Sequence, residues 1–249
     1  FRYERDRSLN ADGVEFVSDP CTLDYWKTVD LKDFCQRVLN AGYRSHNTRR
    51  CGMHVHISAD TFTSGELARV DAIVNKHQNF FEKIGRRRNG HYYQYCPNAR
   101  VRHFASHAGH HYCSVNFEHV YFPQVSKRTC REKGLADGHF EIRLAKGTLS
   151  WETILATLEL YEALTGFAKE ASWSDILKGQ AIGPFVAYMT RPENRARYAL
   201  AIDYVAFRTQ HPVATKWAME ETARKRKKAE REAVNNTNNN DKQGGCECA

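Results

Sequence analysis

Two short stretches carry residues that could do chemistry together. Residues 52–58, GMHVHIS, alternate Met53, Val55 and Ile57 with His54, His56 and Ser58. Residues 139–149, HFEIRLAKGTL, alternate Phe140, Ile142 and Leu144 with Glu141, Arg143 and Ala145. A period of two marks a strand whose alternate side chains share a face. Each strand would then turn an apolar face to a core and a polar face outward. Taken singly, each has a plain reading: a solvated strand side for the histidines, and a weak surface ion pair for Glu141 and Arg143. Taken together they suggest one polar cavity. Carboxylate and imidazole suit a divalent cation, and a guanidinium fork suits phosphate.

These residues need elements to hold them. Residues 1–20 read as strand, turn and strand, with Ala11-Asp12-Gly13 as the turn and Pro20 as the stop. Leu31 to Ala41 reads as a helix ended by Gly42. Thr63 and Glu66 form a capping box that opens a helix through about Ile84, stopped by Gly85. His77 in that helix reads as a half-buried core histidine rather than a ligand. GRRRNGHYYQYC, residues 85–96, is a basic turn entering an aromatic strand, and HFASHAGHH, residues 103–111, is a loop with four histidines. Tyr112 to Tyr121 reads as a strand. Ser150 caps a long helix to about Ala171, with Ile154, Leu158, Tyr161 and Leu164 facing inward. Residues 172–231 read as helical, interrupted at Pro184, Pro192 and Pro212.

Short strands among long helices, without a βαβ rhythm, predict an α+β fold with a largely antiparallel sheet. Strands at 14–18, 53–58, 112–120 and 139–145 are expected to join in that one sheet. Glu15, His54, His56, Glu141 and Arg143 should face its same side.

Bulk composition sets the limits. The chain has 249 residues, 41% apolar and 27% charged, enough for one large domain with an appended piece. No apolar run reaches about 18 residues and no leader pattern opens the chain, so the expectation is a cytoplasmic protein without a membrane span. The chain starts at Phe1 rather than Met, and its native start is expected upstream. Of the net charge of +8, a surplus of four lies in RKRKKAERE, residues 224–232. That reads as a solvated helix end rather than a nucleic-acid surface. Eight cysteines without a CxxC pair argue against a zinc ribbon and for reduced thiols. NNTNNNDKQGG, from Asn235, is expected to be disordered, and Cys246 and Cys248 in that tail carry no assigned role. The expected division is 1–190 as catalytic domain, 191–233 as a removable helical extension, and 234–249 as a polar tail.

The motifs resemble the glutamine synthetase and glutamate–cysteine ligase superfamily, and within it the amidoligases of bacteria and phages. GMHVHIS resembles the Gly-x-His-x-His-x-Ser element of the nucleotide and metal strand. FEIRLAKGTL resembles the Glu-Phe-Arg…Gly-Thr-Leu element that precedes a helix. ERDRSLNADGVEFVSDP resembles the Asp-x-Ser-Leu…Gly-x-Glu segment, and GRRRNGHYYQYC and YCSVNF resemble the elements between. The likeness runs in order over residues 3–170. It implies a curved sheet with helices on its convex face, and ATP with Mg²⁺, or Mn²⁺, as cofactors. It implies that Glu15 and Glu141 bind metal, with His54 in that set or beside it. His56 and Ser58 would contact the nucleotide, Arg86 or Arg87 a phosphate or substrate. Arg143 would steady the transferring phosphoryl group and Asn116 would line the site. The substrates would be an amino-acid or peptide carboxylate and an amine, joined through an acyl phosphate. Two departures stand out. The family's first strand, with Glu-x-Glu, would precede residue 1, and its Asp-Gly-Ser reads Asp6-Arg7-Ser8 here. A chain without that strand is expected to be short of a metal ligand.

Two other classes compete. A zinc hydrolase would use His54, His56 and a histidine from 103–111, with Glu141 as base, but gives Arg143 no task. A nucleic-acid-binding structural protein would depend on the basic tail.

Overall fold

The computed structural model describes residues 1–5, 13–45, 51–87, 113–121 and 137–211. The basic turn beyond Arg87, the four-histidine loop, the segment 224–232 and the polar tail lie outside the described residues.

The fold is α+β, with small antiparallel sheets and packed helices. Its spine is β6, Asp137–Lys146. β3, Gly52–Ser58, pairs along one edge of it, and the short strands β4, Val115–Asn116, and β5, Val120–Tyr121, also pair with it, all antiparallel. Phe140, Ile142 and Leu144 of β6 point into the core, where they meet Val115 and the flanking Met53, Val55 and Ile57. The alternation read from the sequence therefore holds, except at one point. The register slips between Met53 and Val55, so that Met53 faces Ala145 while Val55 faces Ile142. An extra residue on β6 lets Leu144 and Ala145 both enter the core. Ala145 thus leaves the polar face expected for it.

The N-terminal pair is a correction. β1, Arg2–Arg5, and β2, Val14–Val17, form their own two-stranded sheet and do not extend the main one. This ribbon rests on aromatic rings: Phe1 stacks on Phe34 at 4.2 Å, and Phe16 meets Phe34 edge-on at 5.4 Å.

Helices cover the core side. α1, Leu23–Trp26, is a single turn, and α2, Leu31–Asn40, follows with Asp30 capping it. α3, Ser64–Lys76, opens on the expected reciprocal capping box of Thr63 and Glu66. It ends earlier than the sequence predicts, because His77 leaves helical geometry and α4, Gln78–Gly85, starts afresh. Gly85 is needed at its end, since a β-carbon there would run into the Leu144 carbonyl. α5, Trp151–Glu170, is capped by Ser150 and buried on most sides, as a central helix should be.

His77 is the structural histidine that the sequence suggests. Its Nε2 accepts the Ala181 backbone N–H at 3.3 Å. Burial pushes the imidazole below its ordinary value of 6.5. The unfolded chain therefore takes a proton first as pH falls. The stability that this bond lends is complete above pH 6.5 and is lost as pH falls through the depressed folded value. A thermal melt at pH 7.5 and at pH 5 checks this. His77→Gln should shrink the loss of unfolding free energy between the two, by about the worth of one hydrogen bond, ~1 kcal/mol. An unchanged loss would show that another group carries it.

One compact unit runs from Phe1 to Phe207. Beyond α6, Trp173–Leu177, come α7, Ile182–Thr190, α8, Pro192–Arg195, and α9, Ala199–Gln210. Pro184 and Pro192 sit in first turns, where a missing N–H costs nothing, so they start helices rather than divide domains. Tyr198, Ala201 and Val205 are in the core. Glu159, only 2% exposed, pairs with Lys27 at 3.0 Å and accepts the Ala201 backbone N–H at 2.9 Å, tying α9 to α5. Arg197 binds Glu162 of α5 and Asp24 of α1.

Candidate functional site

The outer face of β3 and β6 gathers the polar residues. His56 lies directly across from Glu141, and Ser58 across from His139. Asn116 of β4 faces Glu141 from the other side. Glu141 is the hub. Its Oε1 accepts from Arg143 Nη1 at 2.7 Å and from His54 Nδ1 at 3.0 Å. Its Oε2 accepts from Asn116 Nδ2 at 3.3 Å. Asn116 is itself oriented, since its Oδ1 accepts the Glu118 backbone N–H at 2.9 Å. His56 Nε2 is 3.9 Å from Oε1, beyond hydrogen-bond reach.

Glu141 and Arg143 are 7% and 8% exposed, so this is not the solvated surface pair that is worth little. Burial alone would push the Glu141 carboxyl up. The hydrogen bond and charge of His54, then Arg143, outweigh it and bring the value down from 4.5 to about 2. The hub is ionised throughout the neutral range. Its contribution to stability is complete above pH 4.5 and is lost as pH falls toward 2.

Arg86 and Arg87 follow α4. Arg86 sits in the left-handed region at φ 57° and donates to the Lys146 carbonyl at 3.3 Å. Arg87 donates to the Arg143 carbonyl at 3.0 Å, beside the register slip. Both thus hold β6 backbone with one donor, whatever else they contact. A β-carbon at Gly52 would meet Arg87 Nη1 and His54 Nε2, each at 2.8 Å. Gly52 is therefore the opening that leaves room for a second guanidinium and for His54. Burial, then Arg86, pushes the Lys146 ammonium below its ordinary value.

Two residues join this face that the sequence reading did not single out. His139 stands 5.0 Å from His56, ring to ring, and His119 stacks on His139 at 5.0 Å. The parity of His139 with Glu141 was the available signal; His119 had none. Burial pushes the His56 imidazole down, and the neighbouring imidazoles act the same way against the opposing pull of Glu141.

Glu15 is not brought to this face. It lies exposed on β2, opposite Glu4, in the separate ribbon. The set Glu15, His54 and Glu141 is thus not assembled. Among the described residues no group of three His, Cys, Asp or Glu side chains could hold a metal ion.

What is assembled is a buried carboxylate, an arginine fork, an oriented amide and imidazoles on one face of the main sheet, in the order of the expected motifs. A family model described as "Putative amidoligase enzyme" matches residues 2–165. The chain belongs to this family. The match spans the ribbon, the main sheet and most of α5, so every amidoligase residue named above falls inside it. No curated protein and no solved structure matches the chain. Among the described residues no helix is long and apolar enough to cross a membrane.

Proposed function

We propose that this amidoligase joins an amino-acid or peptide carboxylate to an amine, using ATP, through an acyl phosphate. The observation that supports this best is the buried Arg143 fork, held by Glu141 on a face that also carries His54, His56, Asn116 and Arg87. Ligation of this kind needs charge neutralisation and alignment rather than a protein nucleophile. A carboxylate oxygen attacks the γ-phosphorus and ADP leaves. The amine nitrogen then attacks the acyl carbon, and phosphate leaves with the former carboxylate oxygen. Arg143 would hold phosphoryl or acyl oxygens while charge moves across them. Arg87 would add positive charge beside it, His56 and Ser58 would border the nucleotide, and Asn116 would keep Glu141 in place. Magnesium, or manganese, belongs to this reading as the counter-ion of ATP. Glu15, His54 and Glu141 do not fit it as a binding set, and no step is assigned to it.

Hydroxylamine tests the reading. The full chain, with ATP, Mg²⁺ and a panel of amino acids and short peptides, should convert one class of carboxylate to a hydroxamate. ADP and phosphate should appear in equal amounts, and only when the carboxylate is present. Release of AMP, or ATP cleavage indifferent to carboxylate, would contradict it.

A further inference from the structure

We infer that Glu141 is a positioning residue that holds Arg143 for an oxyanion, and not a ligand of a resident divalent cation. Its single negative charge is already answered. Arg143 and His54 both donate to Oε1, at 2.7 and 3.0 Å, and Asn116 engages Oε2 at 3.3 Å. A second guanidinium, that of Arg87, comes close enough to His54 for one added carbon at Gly52 to touch both. A dication here would enter a face with two arginines and one carboxylate. Hard cations take several oxygens, and repulsion between like charges grows as water is excluded.

Arg143 points the same way. Its side chain is 8% exposed, and its buried Nε has no hydrogen-bond partner among the described residues. A buried donor without an acceptor calls for one. Glu141 takes Nη1 and so fixes the plane of the fork, which leaves Nε–H to meet an oxygen of phosphate or carboxylate.

The inference deepens the ligase reading at its central residue, yet its test needs no turnover, so either can fail alone. The ¹⁵N-labelled full chain is titrated with inorganic phosphate while the Arg143 Nε–H resonance is followed by NMR. Phosphate should shift it in the wild type. In Glu141→Gln, checked for a native spectrum elsewhere, tenfold more phosphate should leave it in place. Mn²⁺ alone, followed by its electron paramagnetic resonance, should bind both proteins equally within twofold. Should Glu141→Gln not fold, the pair Glu141→Gln/Arg143→Met should recover a cooperative melt, because both charges leave together. Overturning results are a wild-type resonance indifferent to phosphate, an unchanged phosphate response in the folded variant, a tenfold or greater loss of Mn²⁺ affinity in Glu141→Gln, or a double variant that fares no better than the single one.

Discussion

The Arg143→Lys variant should lose amide formation by at least about a hundredfold while keeping a cooperative melt. The lysine ammonium can still answer the charge of Glu141, so the hub is not left with an unpaired buried carboxylate. It cannot do both tasks of the arginine. The guanidinium gives Nη1 to Glu141 and keeps Nε for an incoming oxygen, in one rigid plane. A point charge on a flexible stem drawn to Glu141 has no second fixed donor. Steady-state hydroxamate formation and a thermal melt read the two consequences separately. Activity within a few-fold of wild type in Arg143→Lys would show that the fork is structural only.

Cutting the chain after Arg191 should abolish folding, whereas a chain ending at His211 should keep a cooperative melt. The shorter piece loses Tyr198, Ala201 and Val205 from the core. Burial of a large apolar side chain is worth about 1.5–3 kcal/mol, so these alone remove several. It also strips Glu159 of the Ala201 N–H and Glu162 of Arg197. Losing the buried hydrogen bond to the Glu159 carboxylate costs about 1.5–3 kcal/mol more, and the partly exposed Glu162–Arg197 pair adds little. The sum rivals the whole stability of a domain, about 5–15 kcal/mol. Circular dichroism melts of both lengths decide it. A chain of residues 1–191 that melts within a few degrees of the longer one would show α8 and α9 to be accessory.

The contrast between these two regions shows what a sequence exposes. The site face was legible because residues 54–58 and 139–143 alternate without a break, and a two-residue period leaves no choice of side. Both capping residues, Thr63 and Ser150, were legible because hydroxyl caps act within three residues of themselves. The slip after Arg143 was not, since a bulge depends on how Met53 and Ala145 fit the core. Nor was the break at His77, whose imidazole accepts from Ala181, 104 positions away. Glu15 carries the right side chain in a motif of the right order, but its strand pairs with β1 alone. The role of α9 was hidden by Pro192, which reads as an interruption and acts as a helix start, and by Glu159, which looks like any helical glutamate.

Oxygen tracing is the most direct test of the central claim that a carboxylate is activated by phosphate. The substrate carboxylate identified by hydroxamate formation is labelled with ¹⁸O and ligated to its amine by the full chain with ATP and Mg²⁺. The account predicts one ¹⁸O atom in each released phosphate, read by mass spectrometry, and none in AMP. Label in AMP, or phosphate carrying none while amide accumulates, would contradict it.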